Sequence, residues 1–454
     1  MSGDEVQQPT LREPLLDEEP GPVFDPKSGL ASSTVVLIKT IIGAGSAALP
    51  FAFAQLGSVI SVTFLVLVAL STHWSIQAIT GGLLSSHVES YPKAVHLLVG
   101  SGSAVVLELC LVVRCAGLLI VYIVIAADIL AGGKGSGDGI VCELFPSWNP
   151  SCSDRALVSG VVVVFVLAPA VAPQSLRGAA TYGSVLGLVA VGVWGLVTLV
   201  LLSTSLTSGI HHRVPWLPTQ IEGETEFKHI LQVVATLPVI ATAFTCQMTV
   251  AAIARELKNC TASRMSLVSR LAVTISLLVF TVLGLSSVAI FGLKDLPADI
   301  MKAFHSKGAI IKLLGSEAGR LAGITVRCGF LLCVLSNVPL QMIPLRQSFA
   351  QLINLFLANR EDDREECSLE GVQYWAVTYG SLSLVFLVAM SVETVWTPLQ
   401  LVGATAGAAI AFYFPALLLM REKNRNATIT GKAFVLLATG AVQLVTGIAA
   451  VVLQ

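Results

Sequence analysis

Residues 39–50 read KTIIGAGSAALP and interrupt the first long apolar segment of the chain, roughly residues 31–55. A helix that breaks at bilayer depth exposes backbone N–H and C=O groups, which hydrocarbon tolerates only where protein or a polar cavity satisfies them. Such breaks are typical of the binding sites of transporters with internal repeats. The other interpretation is a packing face, because Gly, Ala and Ser are common where transmembrane helices touch.

The composition of the chain indicates a membrane protein. Of its 454 residues, 54% are hydrophobic and 12% are charged, whereas soluble domains carry about 25% charged residues. The net charge of −1 indicates no nucleic-acid partner. The sequence has no Walker A, HExxH or GxSxG motif in a suitable context. We therefore expect an all-α polytopic protein in a lipid bilayer, with no enzymatic activity, cofactor or metal site.

The first thirty residues differ from the rest. They are acidic and proline-rich, which predicts a disordered tail at 1–30 and a transmembrane domain at 31–454. Leu15 and Leu16 lie among acidic residues, and this pair is a weak hint of an endolysosomal or vacuolar address.

Apolar segments of about 20 residues, the length of a span, recur along the domain. They predict eleven spans, at 31–55, 58–84, 104–131, 156–171, 182–204, 229–252, 268–292, 319–345, 372–391, 398–420 and 432–453.

Lysine and arginine counts in the loops predict the orientation. Fifteen fall on the side of the N-terminus and nine on the other, so the N-terminus is expected in the cytosol. Cys142 and Cys152 share an outer loop, where an oxidising compartment favours a disulfide; two unrelated thiols are the alternative. The lysine-rich loop 294–312 is an exception to the charge rule, and a short re-entrant or amphipathic helix could lie there.

Few polar residues in the spans could carry chemistry. Lys39 lies about one turn before Gly43, and a charge at that depth costs at least about 2.5 kcal/mol. It either marks a site or extends to the cytosolic surface. Glu108, Arg114 and Arg327 are expected to form structural ion pairs across helices.

Two further spans are interrupted. In the sixth, Pro238 removes a helical hydrogen bond, and Thr242, Thr245 and Gln247 follow at mid-membrane. Breaks five spans apart are the signature of an inverted repeat. In the eighth span, Ser336 and Asn337 could coordinate an ion or stabilise a helix contact, and Pro344 with Arg346 predicts its cytosolic end.

Three motifs resemble the amino acid/auxin permease family, which includes system A/N-type, proton-assisted and vacuolar amino acid transporters. The first-span motif runs from Gly43 through Leu49-Pro50-Phe51 to Gly57, the second from Leu237-Pro238 to Cys246 with Glu256-Leu257, and the third from Val338-Pro339 to Arg346. The resemblance covers the chain from about residue 30 to its end. It implies the leucine-transporter-type fold, with a 5+5 inverted repeat plus one extra helix and a midplane site.

The resemblance also implies roles for residues. The substrate carboxylate would bind at the first break, and the α-ammonium would bind carbonyls of the sixth; these positions are Gly43, Ala44, Gly45, Ser46, Phe244, Thr245 and Cys246. Lys39, Ser336 and Asn337 would form the ion-coupling site. Sodium-coupled members usually have Asn at the position of Lys39 and Thr at that of Asn337, so an ammonium there would repel sodium.

These features predict a secondary active amino acid transporter that is proton-coupled and sodium-independent. Neutral substrates are expected because Lys39 is the only charged side chain expected in the pocket. The alternatives are a sodium-coupled neutral amino acid symporter and an amino acid-sensing receptor of the same fold. The membrane is expected to be vacuolar or lysosomal, or the plasma membrane.

Overall fold

A computed structural model describes residues 28–43, 45–133, 138–145, 154–173, 179–218, 226–293, 296–305, 308–358, 371–422 and 426–452. Within these ranges, nine helical stretches are long and apolar enough to cross a membrane, and Leu30–Ile41 and Arg155–Val171 are shorter apolar helices. Helices satisfy all their backbone groups internally, as a bilayer requires. The predicted all-α polytopic class is confirmed.

The helices in chain order are α1 (Leu30–Ile41), α2 (Gly45–Ser86), α3 (Tyr91–Leu98), α4 (Ser101–Leu130), α5 (Ile140–Leu144), α6 (Arg155–Val162), α7 (Ala168–Val171), α8 (Ala179–Thr207), α9 (Glu226–Ala243), α10 (Val250–Glu256), α11 (Ala262–Phe291), α12 (Ala309–Leu314), α13 (Ser316–Leu335), α14 (Val338–Ala358), α15 (Gly371–Ser391), α16 (Trp396–Val402), α17 (Phe414–Met420) and α18 (Ala427–Val452). Short 3₁₀ turns occupy Gln247–Thr249 and Ile300–Phe304, and wide π-turns occupy Val163–Leu167, Gly403–Gly407 and Ala409–Tyr413.

The long helix α2 contains the boundary between the first two predicted spans. Gly57 has φ +73° there, a backbone conformation that glycine adopts without strain. The bend frees two N–H groups, and the loop after α8 satisfies them: Ser58 N donates to Pro215 O at 2.9 Å and Val59 N donates to Trp216 O at 3.1 Å. The kink therefore separates one span from the next without a loop.

The helix of the eighth span continues beyond its predicted end. The span breaks between α13 and α14, at Ser336 and Asn337, and then continues past Pro344 to Ala358. Arg346 is buried within the protein, and its position relative to the membrane surface stays a prediction. It donates to Val171 O at 2.8 Å and to the hydroxyl of Tyr374, so neighbouring helices satisfy the charge inside the bundle.

Helix packing places α4 beside the eighth span, which is interrupted at Ser336 and Asn337. α4 lies along α14 and α16, α2 lies along α9 and α11, and α8 lies along α13. Leu111 lies in the first half of α4 and Asp128 lies near its end, roughly 25 Å apart at 1.5 Å per residue. We call the end with Asp128, α5 and residues 296–305 the lid face, and the end with α3, α10 and the second half of α14 the vestibule face.

Three predictions concern residues outside the described ranges. The acidic tail lies there except for residues 28–30, so its disorder stays a prediction. Cys142 is disulfide-bonded, but Cys152 is among the residues not described, so their pairing also stays a prediction. Ala44 lies outside the described residues too.

The lysine-rich loop does contain short helices, the turn Ile300–Phe304 and α12.

Candidate functional site

The first span breaks where its glycines stand. α1 ends at Ile41, and Ile42 leaves the helical conformation with ψ 72°. Gly43 N donates to Ile41 O at 2.9 Å, and the Ser46 hydroxyl donates to Gly43 O at 2.6 Å. Helix α2 then begins at Gly45 and keeps Pro50 in its interior. The described residues of the break are therefore Ile42 and Gly43, which lie between α1 and α2.

The sixth span breaks six residues after Pro238, which lies inside α9. α9 ends at Ala243, and Phe244, Thr245 and Cys246 form the irregular link to the turn Gln247–Thr249. The Thr245 hydroxyl donates to Ala241 O at 3.2 Å. The ring of Phe244 is fully buried and meets Phe280 of α11 edge-on, with centroids 5.3 Å apart. The three residues assigned to ammonium binding thus form the second break.

The two breaks lie against each other. A Cβ at Gly45 would lie 2.7 Å from the Cα of Ala243, closer than real Cβ contacts come. A Cβ at Gly403, in the tenth span, would lie 1.7 Å from the Thr242 hydroxyl. The same hydroxyl donates to Leu399 O of that span at 3.3 Å. Glycines therefore allow three broken or widened helices to meet at one point, as expected of a shared binding site.

Lys39 does not extend to the surface, because its side chain is fully buried. Its Nζ donates to Cys333 O at 2.8 Å and to Asn337 Oδ1 at 2.9 Å, and it contacts Cys333 Sγ at 3.2 Å. The side chain crosses α8 on the way, since a Cβ at Gly187 would lie 2.2 Å from Lys39 Cε. The ammonium is therefore fixed between the first, fifth and eighth spans.

The residues around this ammonium connect it to the first break. The Ser336 hydroxyl also donates to Cys333 O, at 2.8 Å, so this carbonyl accepts two hydrogen bonds. Asn337 Nδ2 is buried and has no hydrogen-bond partner in the part of the chain that the structure describes. A Cβ at Gly43 would lie 3.6 Å from that nitrogen and 3.4 Å from Tyr122 Oη. Two donors thus lie beside the backbone of the first break.

Arg114 is a site residue whose role the sequence did not indicate. Its side chain is 2% exposed, and Nη2 donates to Thr242 O at 3.4 Å and Thr245 O at 3.5 Å. Nε and Nη1 have no hydrogen-bond partner among the described residues. A buried cation without a carboxylate is costly, so this guanidinium is suited to bind an anionic group at the breaks.

Arg327 and Glu108 take other positions. Arg327 Nη2 forms an ion pair with Glu143 Oε2 at 2.6 Å on the lid face, as the expectation of structural pairing has it. Glu108 lines a cavity of about 370 Å³ that opens on the vestibule face. That cavity is lined also by Glu89, Arg255 and Arg346, and it reaches inward to Met248, two residues from the sixth break.

The structure brings the expected residues into one region, apart from Ala44, which is not described. Arg114, Tyr122, Gly187 and Cys333 complete it. The sequence signal of Tyr122, Gly187 and Cys333 was weak, because single residues of these types do not stand out in apolar helices, and glycine is common where such helices touch. Only the charge of Arg114 pointed to a special environment.

Comparisons with known proteins match nearly the whole chain. The profile of the family described as "Transmembrane amino acid transporter protein" matches residues 26–453. The chain is 28% identical over 424 residues to "Amino acid transporter AVT6A" of Arabidopsis thaliana, covering 91% of this chain and 87% of that protein. It is 25% identical over 406 residues to "Amino acid transporter AVT6E" of the same plant, covering 89% and 78%. It is 23% identical over 456 residues to "Vacuolar amino acid transporter 6" of Saccharomyces cerevisiae, covering 90% and 94%.

Proposed function

Because the chain belongs to the family of transmembrane amino acid transporter proteins, we propose that it is a secondary active carrier of neutral amino acids, coupled to protons and independent of sodium. Amino acid transport across a membrane, rather than catalysis, is the activity of this family and of the named relatives. The chain is accordingly an integral membrane protein whose substrate is an amino acid.

The observation that carries the ion proposal is the position of the Lys39 ammonium. It donates to Cys333 O and Asn337 Oδ1, two oxygens of the kind that a sodium ion would need. A fixed positive charge at 2.8–2.9 Å from those oxygens excludes a second cation by repulsion and by volume. The proton gradient is then the driving force that the proposal assigns to the carrier in place of a sodium gradient.

The substrate proposal rests on charge balance at the breaks. An amino acid brings a carboxylate, for which Asn337 Nδ2 and the unpartnered nitrogens of Arg114 are donors. It also brings an ammonium, for which the carbonyls of the sixth break are acceptors. A neutral side chain adds no further charge, whereas an acidic side chain adds a second carboxylate when Arg114 already binds the first and Lys39 is held by Cys333 O and Asn337 Oδ1.

The orientation proposal places the vestibule face in the cytosol and the lid face in the lumen or outside the cell. The Lys and Arg count supports it, and so does the disulfide at Cys142 near α5 on the lid face, since disulfides persist outside the cytosol. The cavity on the vestibule face then makes this an inward-facing conformation. The yeast relative is named a vacuolar amino acid transporter, which favours a vacuolar or lysosomal membrane over the plasma membrane.

Uptake into proteoliposomes tests the ion proposal. Vesicles containing wild type, Lys39→Asn or the control Lys312→Asn receive radiolabelled leucine or glutamine under an imposed pH gradient or an imposed sodium gradient. Lys312 is chosen for the control because it is an exposed lysine of α12. We expect wild type and the control to follow the pH gradient and ignore sodium, and Lys39→Asn to lose the pH response. Wild-type uptake driven by sodium alone would overturn the ion proposal.

The same vesicles test the substrate class. Unlabelled leucine, glutamine, glutamate and lysine compete for uptake at equal concentration. We expect the two neutral amino acids to compete best. Stronger competition by glutamate would show that Arg114 selects an acidic side chain and would refute the neutral proposal.

A further inference from the structure

The lid face is closed by the segment 296–305. The turn Ile300–Phe304 buries Ile300, Met301 and Phe304 almost completely, and the Phe304 ring meets Phe291 with centroids 5.6 Å apart. A Cβ at Gly323 of α13 would lie 2.5 Å from Phe304 O. The segment therefore inserts between α2, α4 and α13, and it must move before the breaks can open to this face.

Charged groups fix the segment to the bundle. Asp128, at the end of α4, has a side chain only 1% exposed; it pairs with Lys302 Nζ at 2.9 Å and with Arg155 Nη2 at 3.2 Å. Arg155, at the start of α6, also donates from Nη1 to Val392 O at 3.3 Å. One carboxylate thus connects the segment to the third and fourth spans.

A second buried carboxyl group lies in the segment itself. Asp299 is 3% exposed, and its Oδ1 accepts a hydrogen bond from Met301 N at 3.0 Å. Its Oδ2 is buried and has no hydrogen-bond partner in the described ranges. Burial, and then the neighbouring Asp128 carboxylate, raise the pKa of Asp299 to about 7, against the smaller opposing effect of Lys302.

Other titratable groups lie around the segment, among them His305, whose Nδ1 is buried and has no hydrogen-bond partner among the described residues. α13 contributes Arg327, which pairs with Glu143 of α5 and donates to Asp138 O. The part of α2 before the Gly57 kink has no ionisable side chain. His305, half-buried, ends the segment. Asp299 is thus the group whose second oxygen is placed to receive a proton.

We propose that Asp299 is a proton-binding site of the carrier, separate from the Lys39 site, and that a proton bound there holds the lid segment closed. When the segment lifts, Asp299 meets water and binds its proton with the affinity of an ordinary carboxyl group. The closed lid binds the proton more tightly, so acid on this face favours closure by linkage. A proton that binds from the lid face thereby favours the inward-facing conformation. The role of this proton in a transport cycle rests on the proposed function, whereas its effect on the lid segment does not.

The pH window follows from the two affinities. The carboxyl has an ordinary pKa of 3.8 when the lid is open and about 7 when it is closed. Since the pKa is raised in the closed state, closure is strongest below the lower value and is lost as pH rises to the upper one. Lid opening should increase up to about tenfold per pH unit in this window and stay constant above it.

Hydrogen exchange of the backbone at 296–305 tests the proposal with the full chain in nanodiscs, at pH 5, 6, 7 and 8, after correction for intrinsic exchange. Wild type should lose up to about a hundredfold of protection between pH 5 and 7. Asp299→Asn, which stays neutral, should remain protected throughout. Lys302→Gln should move the upper limit of the window to higher pH, because Lys302 lowers the pKa of Asp299. The control Glu317→Gln, an exposed acid of α13, should behave as wild type.

Protection in wild type that does not change with pH, or an Asp299→Asn variant that responds as wild type does, would overturn the proposal. A Lys302→Gln variant without a shift would do so even if Asp299→Asn failed to fold. Exchange is measured without substrate or gradient, so its failure is distinct from failure of the transport proposal. Uptake that ignores the pH gradient would refute proton coupling, while leaving the lid response to be measured independently.

Discussion

A methyl group added at Gly187 should displace the buried ammonium of Lys39. The new Cβ would lie 2.2 Å from Lys39 Cε and 3.0 Å from Nζ, whereas carbon atoms pack at about 3.5–4.0 Å. The end of the lysine must therefore move by roughly 1.3 Å or more, on the same spacing. Its bonds to Cys333 O and Asn337 Oδ1, at 2.8 and 2.9 Å, cannot both survive that shift.

The loss can be estimated from those bonds. A hydrogen bond to a charged group contributes about 1.5–3 kcal/mol, and forcing an extra methyl group into a packed core costs about 1–3 kcal/mol. Because the side chain can partly adjust, we expect Gly187→Ala to lower the free energy of unfolding by about 2–4 kcal/mol in total. Gly192→Ala is the matched control, since it lies on the same helix and a Cβ there meets nothing within 4 Å.

The assay is unfolding in detergent, followed for wild type, both alanine variants, Lys39→Ala and the double variant Gly187→Ala/Lys39→Ala. Without the lysine, the methyl group at 187 has space, so the two substitutions should be non-additive by about 1–3 kcal/mol. Equal stability of Gly187→Ala and Gly192→Ala, or strict additivity in the double variant, would refute the close packing of Lys39 on α8.

Three other substitutions test the breaks and the lid face. Gly45→Ala should reduce uptake at least tenfold and lower the free energy of unfolding by about 1–3 kcal/mol, because its Cβ would meet Ala243. Gly81→Ala is the control, since a Cβ there has open space around it. Equal uptake by both variants would contradict the contact. Arg327→Gln should cost up to about 3–5 kcal/mol of unfolding free energy by removing one side of a largely buried ion pair with Glu143. The double variant with Glu143→Gln should regain part of it, and a double variant as unstable as the single one would argue against the pair. Phe280→Leu should weaken substrate binding in a competition assay by removing the edge contact to Phe244, worth about 0.5–1.5 kcal/mol, whereas Phe434→Leu, on an exposed ring, should leave binding unchanged.

The sequence predicted the fold better than the details of the site. Apolar length and glycine content are local properties, so the spans and the first break at Gly43 were accessible. Pro238 suggested the position of the sixth break, but the helix continues through it to Ala243. Proline removes one hydrogen bond without ending a helix that neighbours support, and the break falls where Ala243 meets Gly45.

The ion site shows the same limit. The resemblance to a known family pointed to Lys39 and Asn337, yet Gly187 and Cys333 came from helices whose rotation no local pattern determines. Arg114 was expected to be a structural ion pair, because spacing along α4 does not reveal which carbonyls face it. The sequence likewise did not reveal that Arg346 donates to Val171 O of a neighbouring helix, because that contact depends on how the helices pack.

The bridge between Ser28 and the end of α10 gives the amino terminus a mechanical role. Ser28 N donates to Glu256 O at 2.8 Å, and Lys258 N donates to Ser28 O at 3.0 Å, so the chain just before α1 is tied to both sides of Leu257. A force applied at residue 28 is transmitted to the second half of the sixth span. A fluorophore attached just upstream would therefore report any displacement of α10, and a bulky protein fused there without a spacer would act on the same helix.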